Sequence, residues 1–167
     1  DLHLGAPLRS LGAGLTDDAK AELLSLVDKA FTNLIDKTIK YNAEFIVLAG
    51  DIYDDAENDA RAQLRFFRGL KRLLDAGIGV YIAHGNHDPL LDEKKRNQIA
   101  KLPDGVHRFL PGSVQTVVHN LRDGGQVTVA GISFEKKDES ENLALRFETV
   151  DRGSTQAIIG VLHTNVG

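Results

Sequence analysis

Apolar and polar positions follow two different periods along this chain. Leu24, Val27, Phe31, Leu34 and Ile35 recur at helical spacing behind the capping oxygens of Thr16, Asp17 and Asp18, which predicts a long helix over about 17–42. "EFIVLAGD" (44–51) is a continuous apolar run that stops at Gly-Asp, the pattern of a strand buried on both faces. "DARAQLRFFRGLKRLLDAG" (59–77) returns to helical spacing and ends at Gly77, a residue suited to a helix C-terminus. "IGVYIAHGNHD" (78–88) is a second buried strand that gives way abruptly to polar side chains. Together these predict a strand–helix–strand unit, hence parallel neighbours and a right-handed crossover.

The second half is more strand-like. "VHRFL", "VQTVVHN" and "QVTVAGISF" are short β-like runs, and "RDGG" (122–125) between the last two reads as a hairpin turn. "EKKDESEN" (135–142) reads as a solvated loop, with a short helix over about 140–148. "AIIGVLHTN" (157–165) is a final buried strand that again closes on a histidine.

Composition narrows the class. The chain has 167 residues, 42% hydrophobic and 26% charged, which fits one soluble domain over 1–167. No apolar run approaches the roughly 20 residues of a membrane span, and the opening Asp-Leu-His-Leu-Gly gives no expectation of a signal peptide. There is no cysteine, which excludes disulfides and thiolate ligands and fits a reducing cytosol, so a cytoplasmic location is expected. A formal net charge of −4 means that any grip on nucleic acid is local or offset by metal ions. There is no methionine, at position 1 or elsewhere, which suggests that the natural start lies upstream.

The candidate chemistry sits where the apolar runs stop. Asp51, the trio Asn86, His87 and Asp88, and His163 each follow a predicted strand, and Asp1 and His3 open the chain. In a parallel-type sheet the C-terminal strand ends share one edge, where ligands bind. Asp, Asn and His are the mixed oxygen and nitrogen donors suited to borderline divalent ions. Each motif has a plainer reading when taken alone: a helix N-cap for Asp51, a polar turn for 86–88, a hydrogen-bonded core residue for His163. His84 reads as a residue lining the site rather than a ligand. His107 and His119 read as surface or strand-packing residues. Arg61, Arg65, Arg68 and Arg72 form one narrow stripe of the second helix, either an ordinary solvated face or a phosphate-binding one.

In order along the chain, Asp1-x-His3, Gly50-Asp51-x-x-Asp54, Gly85-Asn86-His87-Asp88 and His163 resemble the calcineurin-like metallophosphoesterase superfamily. "DLHLG", "LAGDIYD" and "LHTNVG" resemble its DNA-repair nuclease branch, that of the SbcD-type subunits. The resemblance implies an α/β fold, an αββα sandwich of two facing mixed sheets with helices outside. It implies two divalent metal ions, manganese first with iron or zinc as alternatives, and a metal-dependent phosphodiester hydrolase of the DNA-exonuclease type. It places Asp1 and His3 on one metal, Asn86 and His163 on the other, and Asp51 between them. His87 becomes the acid or charge-stabiliser facing the leaving oxygen, Asp88 the carboxylate that orients its ring, and Asp54 a supporting acid. The family pattern carries a later Gly-His-x-His that these residues lack, so the domain is expected to be incomplete at both ends. DNA is the implied substrate, with an ATPase partner subunit and a homodimer as further expectations. A phosphatase or phosphodiesterase on a nucleotide, phosphoprotein or small phosphoester, and a catalytically silent binding module of the same fold, are the alternatives.

Overall fold

The long helical pattern at the front becomes α1, Asp17–Lys40. In the computed structural model, residues 1–5, 14, 16–53, 60–90, 102–151 and 153–164 are described, so Asp54 and residues 165–167 lie outside the described residues. Thr16 caps α1 by accepting the Ala19 N–H at 3.3 Å. Asp17 and Asp18 in the first turn and Lys37 and Lys40 in the last complement the helix dipole. The second helix, α2 (Ala60–Asp75), buries Ala62, Phe66, Gly69, Leu70 and Leu73 along one stripe. Gly77 ends it with φ +72°, a left-handed conformation that favours glycine.

Strands β1 (Phe45–Ala49), β2 (Gly79–Ala83) and β3 (Val106–Arg108) form one sheet in that order, parallel throughout. Strands β4 (Gln115–Asn120), β5 (Gln126–Gly131) and β6 (Ala157–Val161) form the second. There β4 and β5 are an antiparallel hairpin and β5 and β6 run parallel, so this sheet alone is mixed. The hairpin turn falls at 122–125 as expected, closed by the Leu121 N–H donating to the Gly125 carbonyl at 2.8 Å. A 3-10 helix (Leu143–Thr149) stands where a short helix was expected, packing Phe147 beside Gly160 of β6.

The two sheets face each other over Tyr81, Ala83, Phe109, Val129 and Val161. The other face of the first sheet, Leu48, Val80 and Ile82, is covered by Phe31 and Ile35 of α1 and Phe66, Leu70 and Leu73 of α2. The architecture is thus α/β, with facing sheets and helices outside. β1 departs from the burial its apolar sequence suggests: Leu48 is buried, but Val47 is 37% exposed and Ala49 is exposed. Among the described residues β1 pairs with β2 on one side, while β2 lies between β1 and β3 and is buried along nearly its whole length.

The arginine stripe faces α1. Arg65 pairs with Asp28, and Arg72 donates to Asp36 at 2.7 Å. Half of the stripe therefore cross-links two helices. Partly exposed pairs of this kind are each worth about 0–1 kcal/mol.

The spacing of the sheets depends on one missing side chain. A Cβ at Gly131 of β5 would lie 2.1 Å from the Phe109 ring, which is fully buried and has nowhere to move. Gly131→Ala is therefore expected to destabilise the fold by about 1–3 kcal/mol or more through overpacking. Urea unfolding should show a lowered midpoint with an unchanged slope.

Candidate metal centre

Strands β1 and β2 of the first sheet both stop in a way that brings polar groups inward. After β1 the chain makes two successive left-handed residues, Gly50 (φ +73°) and Asp51 (φ +47°). Among the described residues, Asp51, His3 (φ +45°) and Asn42 are the non-glycine residues with positive φ, and two of these three lie at this edge. Such backbone costs about 1–2 kcal/mol per residue and persists where surrounding contacts impose it. Here the Asp51 carbonyl accepts the N–H groups of Leu2 (2.8 Å) and His3 (3.0 Å), and Leu4 bridges to Tyr53 in parallel. The first residues are thereby tied alongside the end of β1, which delivers Asp1 and His3 to the same edge.

The buried Asp51 carboxylate is the meeting point. Its Oδ2 lies 3.3 Å from His163 Nε2 and 3.8 Å from His3 Nε2. Its Oδ1 accepts the His87 backbone N–H at 3.0 Å. His163 arrives from the second sheet, just past β6. Its Nδ1 lies 3.5 Å from Asp1 Oδ1, and its Nε2 lies 2.9 Å from Asn86 Oδ1. Ligand atoms of Asp1, Asp51 and His163 all fall within 4.8 Å of one another. Asp1, His3, Asp51, Asn86 and His163 are thus brought together, and the His87 ring meets the His3 ring edge-on at 5.1 Å.

This donor set fits a cation. One imidazole, His163, faces oxygens of Asp1, Asp51 and Asn86, and a neutral ring has a single N–H to give. A divalent ion among these carboxylates, imidazoles and amide oxygen would satisfy lone pairs that otherwise point at one another, and the mixed set suits borderline ions.

Two glycines allow the approach. A Cβ on Gly50 would lie 2.4 Å from the His163 ring, and one on Gly85 would lie 2.3 Å from Asp51 Oδ1 and 2.8 Å from the Asp51 nitrogen. The Gly-Asp and Gly-Asn pairs of the sequence are therefore clearance as well as turn chemistry.

Asp88 plays a different part from the one expected. The imidazole it holds is that of His84, whose Nδ1 lies 2.9 Å from Asp88 Oδ2, where the sequence pointed to the ring of His87. Asp88 also accepts the N–H groups of Ile52 (3.1 Å) and Gly85 (2.8 Å). Burial works against its ionisation, but the hydrogen bond and charge of His84 and these two backbone donors outweigh burial and hold the carboxyl below its ordinary value. His107 and His119 lie away from the site: His107 packs on Phe109, and His119 Nδ1 lies 2.8 Å from the Tyr81 hydroxyl between the sheets. No helix among the described residues is long and apolar enough to cross a membrane.

Residues 1–166 match the family model of calcineurin-like phosphoesterases. An uncharacterised metallophosphoesterase of Bacillus subtilis, YhaO, is 31% identical over 166 residues, covering 98% of this chain and 38% of the relative. The DNA double-strand break repair protein Mre11 of Aeropyrum pernix is 26% identical over 174 residues, covering 99% of this chain and 40% of that protein. Mre11 of Sulfurisphaera tokodaii is 38% identical over 124 residues, covering 68% of this chain and 28% of that protein. The chain thus spans two fifths or less of the length of these relatives.

Two outcomes follow from the packing. Gly85→Ala should displace Asp51 and weaken divalent-metal binding by about 10–100-fold, the range seen when a ligand's supporting contacts are lost; calorimetric titration measures it. Asp88→Asn should cost on the order of 3–5 kcal/mol at neutral pH, because it removes a charge that buried donors require. Asp88 has a lowered folded pKa, so its contribution is present above the ordinary value of 3.8 and is lost as pH falls through the folded one. The stability gap between wild type and variant should accordingly shrink on acidification below that value, as read by urea unfolding across pH.

Proposed function

The chain belongs to the calcineurin-like phosphoesterase family, and on that premise we propose that it is a metal-dependent phosphodiester hydrolase acting on DNA in the manner of a repair exonuclease. The observation that carries the reading is the Asp51 carboxylate lying between imidazoles of two different segments, His3 and His163, with Asp1 and Asn86 oxygens beside it. The family implies divalent metal ions. Support for DNA as the substrate comes from relatives named for double-strand break repair.

In this reading Asp1 and His3 would hold one ion, Asn86 and His163 the other, and Asp51 would serve both. Bound there, the ions supply positive charge that lowers the pKa of an attacking water and screens the phosphoryl oxygens. The neutral amide of Asn86 contributes an oxygen without adding charge. His87 gives a ring proton to the leaving oxygen. The backbone N–H of His87 donates to Asp51, which holds this residue's main chain beside the carboxylate at the centre. Asp88 acts indirectly, by holding the backbone next to both Asp51 and Asn86.

Hydrolysis of a bis-aryl phosphodiester and of linear duplex DNA, with Mn²⁺ added and then chelated, tests the reading. Cleavage of both, abolished by chelation, is the expected result, and hydrolysis that survives chelation would overturn it. His87→Ala should lower turnover by about 10²–10⁴-fold with manganese content unchanged by elemental analysis. Loss of the metal in that variant would make His87 a ligand instead.

A further inference from the structure

His84 takes no part in the set of groups around Asp51, yet it is one of the least exposed polar residues described, at 2%. It sits one residue past β2. Its backbone N–H donates to Ser133 Oγ at 2.8 Å, and its carbonyl accepts the Phe134 N–H at 3.0 Å. Ser133 Oγ in turn donates to the Phe109 carbonyl, and the Phe134 ring packs edge-on against His163 at 5.6 Å. The backbone of His84 is thus where the loop after β2 is pinned to the segment after β5, and that segment carries the ring beside His163.

The side chain does something separate. Its Nδ1 binds Asp88 Oδ2, and Asp88 holds the N–H of Ile52, next to Asp51, and the N–H of Gly85, next to Asn86. One carboxylate therefore sets the separation of the two loops that bring Asp51 and Asn86 to the site. We propose that His84 is a positioning residue of the metal centre, fixing through its Nδ1–H the charged Asp88 carboxylate that holds these two loops together. The proposal rests on the metal-dependent reading above.

The chemistry makes this separable from packing. His84 Nε2 is buried and has no hydrogen-bond partner among the described residues, where the ring's one side-chain bond is the one to Asp88. An asparagine at 84 places its amide N–H near the position of Nδ1 and lacks any counterpart to Nε2. A glutamine places its amide near Nε2 and leaves Asp88 without that donor. If His84 only fills space, the larger glutamine is the better replacement. If it positions Asp88, the smaller asparagine is.

The experiment compares wild type, His84→Asn and His84→Gln by Mn²⁺ titration calorimetry, by metal-free thermal melting and by kcat and KM on a bis-aryl phosphodiester. His84→Gln is expected to bind Mn²⁺ about 10–100-fold more weakly and to lose kcat with KM little changed. His84→Asn is expected to recover most of both. Binding by His84→Gln equal to wild type, or binding by a folded His84→Asn as weak as that of His84→Gln, would overturn the proposal. Should His84→Gln melt below the assay temperature, weak Mn²⁺ binding by folded His84→Asn overturns it alone. A wild-type protein that binds no Mn²⁺ would instead remove the metal centre and the inference with it, a result distinct from all of these.

Discussion

Asp51 can stand between His3 and His163 because no side chain stands at positions 50 and 85. A methyl group at Gly50 would occupy the His163 ring, and one at Gly85 would occupy the Asp51 carboxylate. This clearance is what lets a strand end of one sheet meet a strand end of the other. The left-handed backbone at Gly50 and Asp51 follows from the same need, since it turns the carboxylate in toward His163 while its carbonyl receives the first residues of the chain. The Asp51 and His163 side chains then meet in a space where burial makes each costly to leave unpaired. The rest of the edge is arranged to hold them.

That holding is done mainly by hydrogen bonds to backbone. Asp88 receives two N–H groups from different loops, the Asp51 carboxylate receives that of His87, and the Asp51 carbonyl receives those of Leu2 and His3. Backbone donors cannot change rotamer, so the separations they set are stiffer than those between long side chains. Apolar packing sets the larger spacing: Phe109 against Gly131 fixes how closely the sheets lie, and the two helices close the opposite face of the first sheet.

Much of this was legible in the residues. Helical spacing located α1 and α2 within a few residues of their ends, and the Arg-Asp-Gly-Gly turn located the hairpin. The rule that strand ends gather ligands points to Asp51, to Asn86, His87 and Asp88, and to His163, and the structure brings Asp51, Asn86 and His163 together. What escaped it was pairing. Asp88 is adjacent in sequence to His87 but binds the ring of His84 four positions away, because the turn at 85–87 folds the carboxylate back across Gly85. The signal for that existed, a second histidine at i−4 beside a glycine, but only a turn geometry could choose between the two rings. Likewise the stripe of arginines was plain, and its use was not: Asp28 and Asp36, whose partners Arg65 and Arg72 lie 37 and 36 positions on, claim two of its four members.

The sequence by itself determined which segments are helix or strand, which residues end them, and hence which chemical groups reach the edge. Periodicity, capping and turn preferences are local, acting over a few residues, and so they can be read along the chain. The tertiary structure alone decided that Arg65 and Arg72 are taken up by Asp28 and Asp36 of the first helix. It also decided that Gly50 and Gly85 serve as clearance. Those outcomes depend on contacts between segments tens of residues apart, such as the 77 positions between Asn86 and His163. Such contacts are set by the register of the sheets and the volume between them, which no local pattern encodes.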